Sequence, residues 1–141
     1  MLTKRQKYYY KLSITLQAGN SQAVQTTKEK SNYFRPLKFF MPINTVRFIT
    51  TEGSIKVHAP DAKGVYALYT KESALIYYGM SNSSIRKKLL SHYKGDEGSC
   101  TSEAWYFNFE LTSEPGQREK ELLEEYKYKN SVLPQCNKEA A

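Results

Sequence analysis

Histidine and cysteine are scarce in this chain of 141 residues, with two of each. Cys100 and Cys136 are too few for a disulfide framework or a zinc ribbon. Together with His58 and His92 they form no recognisable metal-ligand spacing. The expectation is therefore a pair of buried or idle thiols in a reducing compartment. No apolar run approaches the roughly 20 residues that span a membrane. The opening MLTKRQKYYYKLSITLQAGN is basic, but Gln and Ser break its apolar positions, which makes it a poor signal peptide. A soluble, intracellular protein with no membrane partner is expected.

What the chain does have is tyrosine and positive charge. Aromatic residues make up 13%, and 12 of them are Tyr, a side chain that buries its ring while offering a hydroxyl at a wet rim. The formal net charge is +7. Residues 1–60 hold ten Lys/Arg against two Asp/Glu, whereas residues 61–141 hold eleven against twelve. The excess cation belongs to the N-terminal part and suits an anionic partner. Such charge is either a solubilising tail or a contact for a phosphate backbone.

The chain divides accordingly into a basic N-terminal extension, 1–60, and a domain, 61–141. Tyr8, Tyr9 and Tyr10 stand among Lys4, Arg5, Lys7 and Lys11, in a segment readable as strand or helix. Residues 18–32 read as a linker. Thr45–Thr50 alternates and is rich in β-branched residues, a strand pattern, and Gly53–Pro60 reads as a turn. From Gly64 the pattern sharpens. Val65–Thr70 and Ala74–Gly79 are strands separated by Lys71-Glu72-Ser73, a hairpin signal. Ser81–Ser84 supplies capping residues for a helix whose Ile85, Leu89 and His92 share one face. Ala104–Leu111 is an aromatic strand, and residues 117–129 are strong helix formers with Leu122, Leu123 and Tyr126 as the stripe. The order is strand, strand, helix, strand, helix. Three antiparallel strands cannot bury both faces alone, so helices must cover at least one. The expected fold is α+β: a small three-stranded antiparallel sheet flanked by helices, with an N-terminal extension able to add strands.

Gly64-Val65-Tyr66 followed by Tyr77-Tyr78-Gly79, with ten residues between Tyr66 and Tyr77, resembles the paired motif of the GIY-YIG nuclease family. Gly79-x-Ser81, the basic helix Ile85–His92, a Glu-bearing helix and Pro134-x-x-Asn137 follow in family order. The resemblance covers residues 62–137. It implies a DNA endonuclease that hydrolyses phosphodiester bonds with Mg²⁺ or Mn²⁺, acting in the cytoplasm, at the nucleoid or in the nucleus. It further implies that Tyr66 orients the attacking water, that Tyr77 helps deprotonate it, and that Gly64, Gly79 and Asn137 shape the motif. A helix cation stabilises the phosphoryl group, and one Glu binds the metal. Cutting both strands of a duplex with one small site requires a dimer or two successive nicks.

The resemblance is uneven at the chemistry. Aligned on Ile85 and Leu89, the family's Arg position is Lys88, while Arg86 lies on a different helix face. Lysine is a point charge without the bidentate fork of Arg. Three readings stay open: Lys88 substitutes with reduced effect, Arg86 swings in, or the site is impaired and the domain only binds nucleic acid. His92 stands where the family often has His or Tyr, suited to proton transfer or phosphate contact. Lys87 and Lys94 are candidates for contact with DNA. For the metal, Glu119 shares a face with Leu122, Leu123 and Tyr126 and is chosen. Glu125 is the alternative by spacing back from Pro134.

Overall fold

The computed structural model describes residues 42–140. The readings of the tyrosine run at 8–10 and of the linker at 18–32 lie outside the described residues. From Ile43 onward the chain forms one compact unit. Its elements are β1 (Phe48–Ile49), α1 (Glu52–His58), β2 (Gly64–Tyr69), β3 (Leu75–Ser81), α2 (Ile85–Lys94), α3 (Ser99–Ser102), β4 (Tyr106–Leu111), α4 (Pro115–Asn130) and α5 (Gln135–Ala140). Among the described residues, no helix is long and apolar enough to cross a membrane.

The α+β class holds, with four strands in one sheet ordered β1-β4-β2-β3. All neighbours are antiparallel. The fourth strand comes from the Thr45–Thr50 run, of which Phe48 and Ile49 pair with Phe107 and Tyr106. Central β2 is buried at every position, which accounts for its unbroken apolar and aromatic sequence. Tyr66 and Leu68 turn to a core shared with Ile55 and Ala59 of the α1 region, Ile85 and Leu89 of α2, and Phe107 of β4. Val65, Ala67 and Tyr69 turn to a second core with Ile43, Tyr78 and Leu122 of α4. Helices therefore cover both faces.

Gly53–Pro60, expected as a turn, is helical from Glu52 to His58. The Thr51 hydroxyl accepts from the Ser54 N–H at 3.2 Å and caps it. Glu52 in the first turn and Lys56 and His58 in the last complement the helix dipole. Ile55 is the only buried residue within the helix, so one apolar position carried too little periodicity to be read.

The cysteines also depart from expectation. Cys100 and Cys136 are joined in a disulfide, with Cα atoms 5.6 Å apart. The bond staples α3 to α5 across a sequence separation of 36. Neither of these short helices carries a period that would bring the two thiols together on paper.

The hairpin is irregular where it matters. Leu68 pairs with Tyr77 but Tyr69 pairs with Leu75, so Ile76 is an extra residue in β3. Such a bulge re-aims the side chains beside it. Ile76 is buried in the first core and Tyr77 packs against that same core.

Candidate active site

The site grows from the middle of β2. Tyr66 is fully buried, and its hydroxyl lies 2.7 Å from Nε2 of His92. On the opposite side of the imidazole, Nδ1 lies 2.7 Å from the Thr101 hydroxyl. His92 and Thr101 are themselves buried. The Tyr77 ring stands 6.2 Å from the Tyr66 ring and 5.1 Å from that of His92, edge to face. Two strand tyrosines and one helix histidine thus form a single aromatic cluster.

Gly79 lies directly opposite Tyr66 in the ladder. A Cβ built on Gly79 would stand 2.5 Å from the Tyr66 Cζ and hydroxyl oxygen. Glycine is required there because the phenol occupies the space a side chain would take. Gly64 is constrained likewise, since a Cβ would lie 2.7 Å from Ile85 Cδ1, where β2 meets α2.

Asn137 holds the strand that carries Tyr77. Its Oδ1 accepts from the Tyr78 N–H and its Nδ2 donates to the Tyr78 carbonyl, both at 2.9 Å. β3 is an edge strand, so these two groups would otherwise lack a ladder partner. The amide copies what a neighbouring strand would supply and fixes the backbone next to Tyr77.

Charges surround the cluster. Burial raises the Tyr66 phenol far above its usual range, and Tyr77, Glu97 and Glu119 add to the effect. Burial, Glu119 and Glu97 raise Tyr77. Burial pushes His92 down to about 4, with Glu97 opposing and Lys88 reinforcing. Both phenols and the imidazole are therefore neutral at physiological pH. Glu119 on α4 is raised by burial, with Lys88 pulling it the other way and no hydrogen bond to its carboxylate among the described residues. Lys88 Nζ donates to Glu97 Oε1 at 2.8 Å, and this contact holds Glu97 below the usual carboxylate range.

Tyr66, Tyr77, His92, Lys88 and Glu119 are thus close enough to act on one another. Arg86 and Glu125 are directed elsewhere. The Arg86 Nε donates to the Ala59 carbonyl at 2.9 Å, tying α2 to the end of α1, and Arg86 is not among the charges acting on either tyrosine. Glu125 is buried, pairs with Lys129 and acts on Tyr78, whose ring belongs to the second core. Lys87 and Lys94 are exposed on α2. Glu97 and Thr101 went unnoticed in the sequence, because they lie in a polar stretch between α2 and β4 that has neither motif nor period.

A family model described as the GIY-YIG catalytic domain matches residues 62–139, the segment that holds every residue of this cluster. The chain belongs to the GIY-YIG family. No curated protein matches the chain. Membership assigns a nuclease-type function with nucleic acid as the class of substrate. The divalent cation that the sequence resemblance implies would need a ligand here. Among the described residues, no three His, Cys, Asp or Glu side chains gather for one. The half-buried Glu119 carboxylate fits the demand as a single hard-oxygen donor, since Mg²⁺ keeps several waters and accepts few protein ligands.

Proposed function

We propose that this GIY-YIG domain is an endonuclease that hydrolyses DNA phosphodiester bonds. The supporting observation is the meeting of Tyr66, Tyr77 and His92 with Glu119 and Lys88 around one spot. In this reading Tyr66 orients the attacking water. A phenol this strongly raised does not stand as phenolate, so it accepts the water proton only while releasing its own. The His92 Nε2 lone pair, 2.7 Å away, is the acceptor for that proton. The water oxygen attacks phosphorus, and the bond from phosphorus to the leaving alkoxide breaks. Tyr77 lines the other side of the water. Lys88 supplies positive charge to the phosphoryl oxygens. Glu119 would hold Mg²⁺ or Mn²⁺, which supplies Lewis acidity toward the phosphate and the leaving oxygen. Exposed Lys87 and Lys94 contact the DNA backbone.

A second reading has its own support. Lys88 is engaged by Glu97, and Arg86 is occupied at Ala59, so neither cation stands ready. On that ground the domain binds nucleic acid without cutting it.

Incubation with plasmid and short duplexes, with Mg²⁺ or chelator, separates the two. Metal-dependent cleavage that Tyr66→Phe and Glu119→Ala both lose supports the endonuclease. Salt-sensitive binding without cleavage supports the second reading. Cleavage that survives Glu119→Ala refutes the assignment of the metal ligand.

A further inference from the structure

We infer that Thr101 is a positioning residue for the hydrolysis, acting through His92 on Tyr66 by fixing which imidazole nitrogen carries the proton. This rests on the reading of Tyr66 as the group that handles the attacking water. The observation is the continuous buried line from the Thr101 hydroxyl to Nδ1, and from Nε2 to the Tyr66 hydroxyl, with both separations 2.7 Å.

A neutral imidazole has one N–H and one lone pair, so the two contacts are not independent. Two arrangements satisfy the line. In the first, Nδ1–H donates to Thr101, and Nε2 accepts from Tyr66. In the second, the Thr101 hydroxyl donates to Nδ1, and Nε2–H donates to the Tyr66 oxygen. Only the first leaves a lone pair able to take the tyrosine proton. The second blocks Nε2 and occupies the oxygen that must meet the water. The partner on Nδ1 therefore decides whether Nε2 works, as the far-side hydrogen bond of a histidine generally does.

The proton transfer from Tyr66 to His92 requires the first arrangement. Tyr66 and Thr101 are the hydrogen-bond partners of the ring among the described residues. The charged groups acting on it are Glu97 and Lys88, and these already engage each other. The Thr101 hydroxyl is able to accept from Nδ1–H in that arrangement, and its place is tied by the neighbouring Cys100, bonded to Cys136 on α5.

The test is Thr101→Val, which keeps the shape of the side chain and removes the acceptor, beside Thr101→Ser, which restores it. Two readouts are taken on the full chain: the ¹⁵N resonances of the His92 ring, and single-turnover cleavage of a duplex with Mg²⁺ alongside duplex affinity. The wild type is expected to show Nδ1 protonated and Nε2 bare. Thr101→Val is expected to move the proton to Nε2 and to slow cleavage about 10²-fold, the lower range of what a positioned proton acceptor contributes, with affinity unchanged. Thr101→Ser should restore both. A valine variant that keeps the tautomer, or changes it and cleaves at the wild-type rate, overturns the inference. If valine does not fold, as judged by circular dichroism, Thr101→Ala carries the same comparison. Tyr66→Phe cleaving normally would instead overturn the reading of the site beneath this one, while the nitrogen spectrum still decides whether Thr101 governs His92.

Discussion

His92 should make this domain sensitive to mild acid. Its folded value is held at about 4 by burial, against about 6.5 for an exposed imidazole. Between those values the unfolded chain binds a proton at this position that the folded chain refuses. Stability therefore rises with pH across that window, and the contribution of neutral His92 is lost as pH falls through about 4. The difference of roughly 2.5 units corresponds to about 3 kcal/mol between pH 7 and pH 4. Carboxylates also titrate there, so wild type must be compared with His92→Gln, which keeps a neutral polar side chain but does not titrate. Guanidinium unfolding at pH 7, 6, 5 and 4 measures each. The wild type should lose about 3 kcal/mol more than the variant over this range. The chain has two histidines, so His58→Gln assigns the ring-proton resonances for a direct titration. Parallel losses of stability in the two proteins, or a folded-state titration of His92 near 6.5, would refute the reasoning.

Four further outcomes are expected. Glu97→Gln should release Lys88 from its 2.8 Å contact, tighten duplex binding and steepen its salt dependence by about one phosphate contact, as read by fluorescence anisotropy. Asn137→Ala should leave the Tyr78 N–H and carbonyl without their partner and cost about 1–3 kcal/mol, measured by chemical denaturation. Gly79→Ala places a methyl against the Tyr66 hydroxyl and should cut the cleavage rate more than the affinity for duplex. Breaking the Cys100–Cys136 bond, by reductant or by Cys100→Ser with Cys136→Ser, frees a loop of sequence separation 36 and should lower stability by roughly 4 kcal/mol in the chain-entropy account.

The parts of the fold legible in the sequence are those whose signal is local. β2 and β3 announce themselves by dense β-branched and aromatic runs with a short polar break. α2 does so by Ser84, which caps it through the Lys87 N–H, and by the shared face of Ile85, Leu89 and His92. What stayed hidden depends on contacts distant in sequence or on elements too short to show a period. The bulge at Ile76 is a matter of register between strands and has no composition of its own. The disulfide exists because α3 and α5 meet, and neither helix has a stripe to predict that meeting. At the site, the family motif names the tyrosines but not what stands behind them. Thr101 reaches His92 from nine positions along the chain, and Glu97 engages Lys88 from the same distance. Both follow from how the chain returns after α2, which no spacing in the sequence encodes.

The disulfide has a consequence for motion. Cys100 adjoins Thr101, and Cys136 adjoins Asn137. One residue supports the surroundings of Tyr66 and the other the backbone beside Tyr77. A covalent link between their neighbours means that neither segment can fray far without dragging the other. The two supports should thus open as one cooperative unit, and the amides of α3 and α5 should exchange with solvent at a common rate. In the reduced protein that rate should split in two, and each tyrosine would then lose its support on its own schedule.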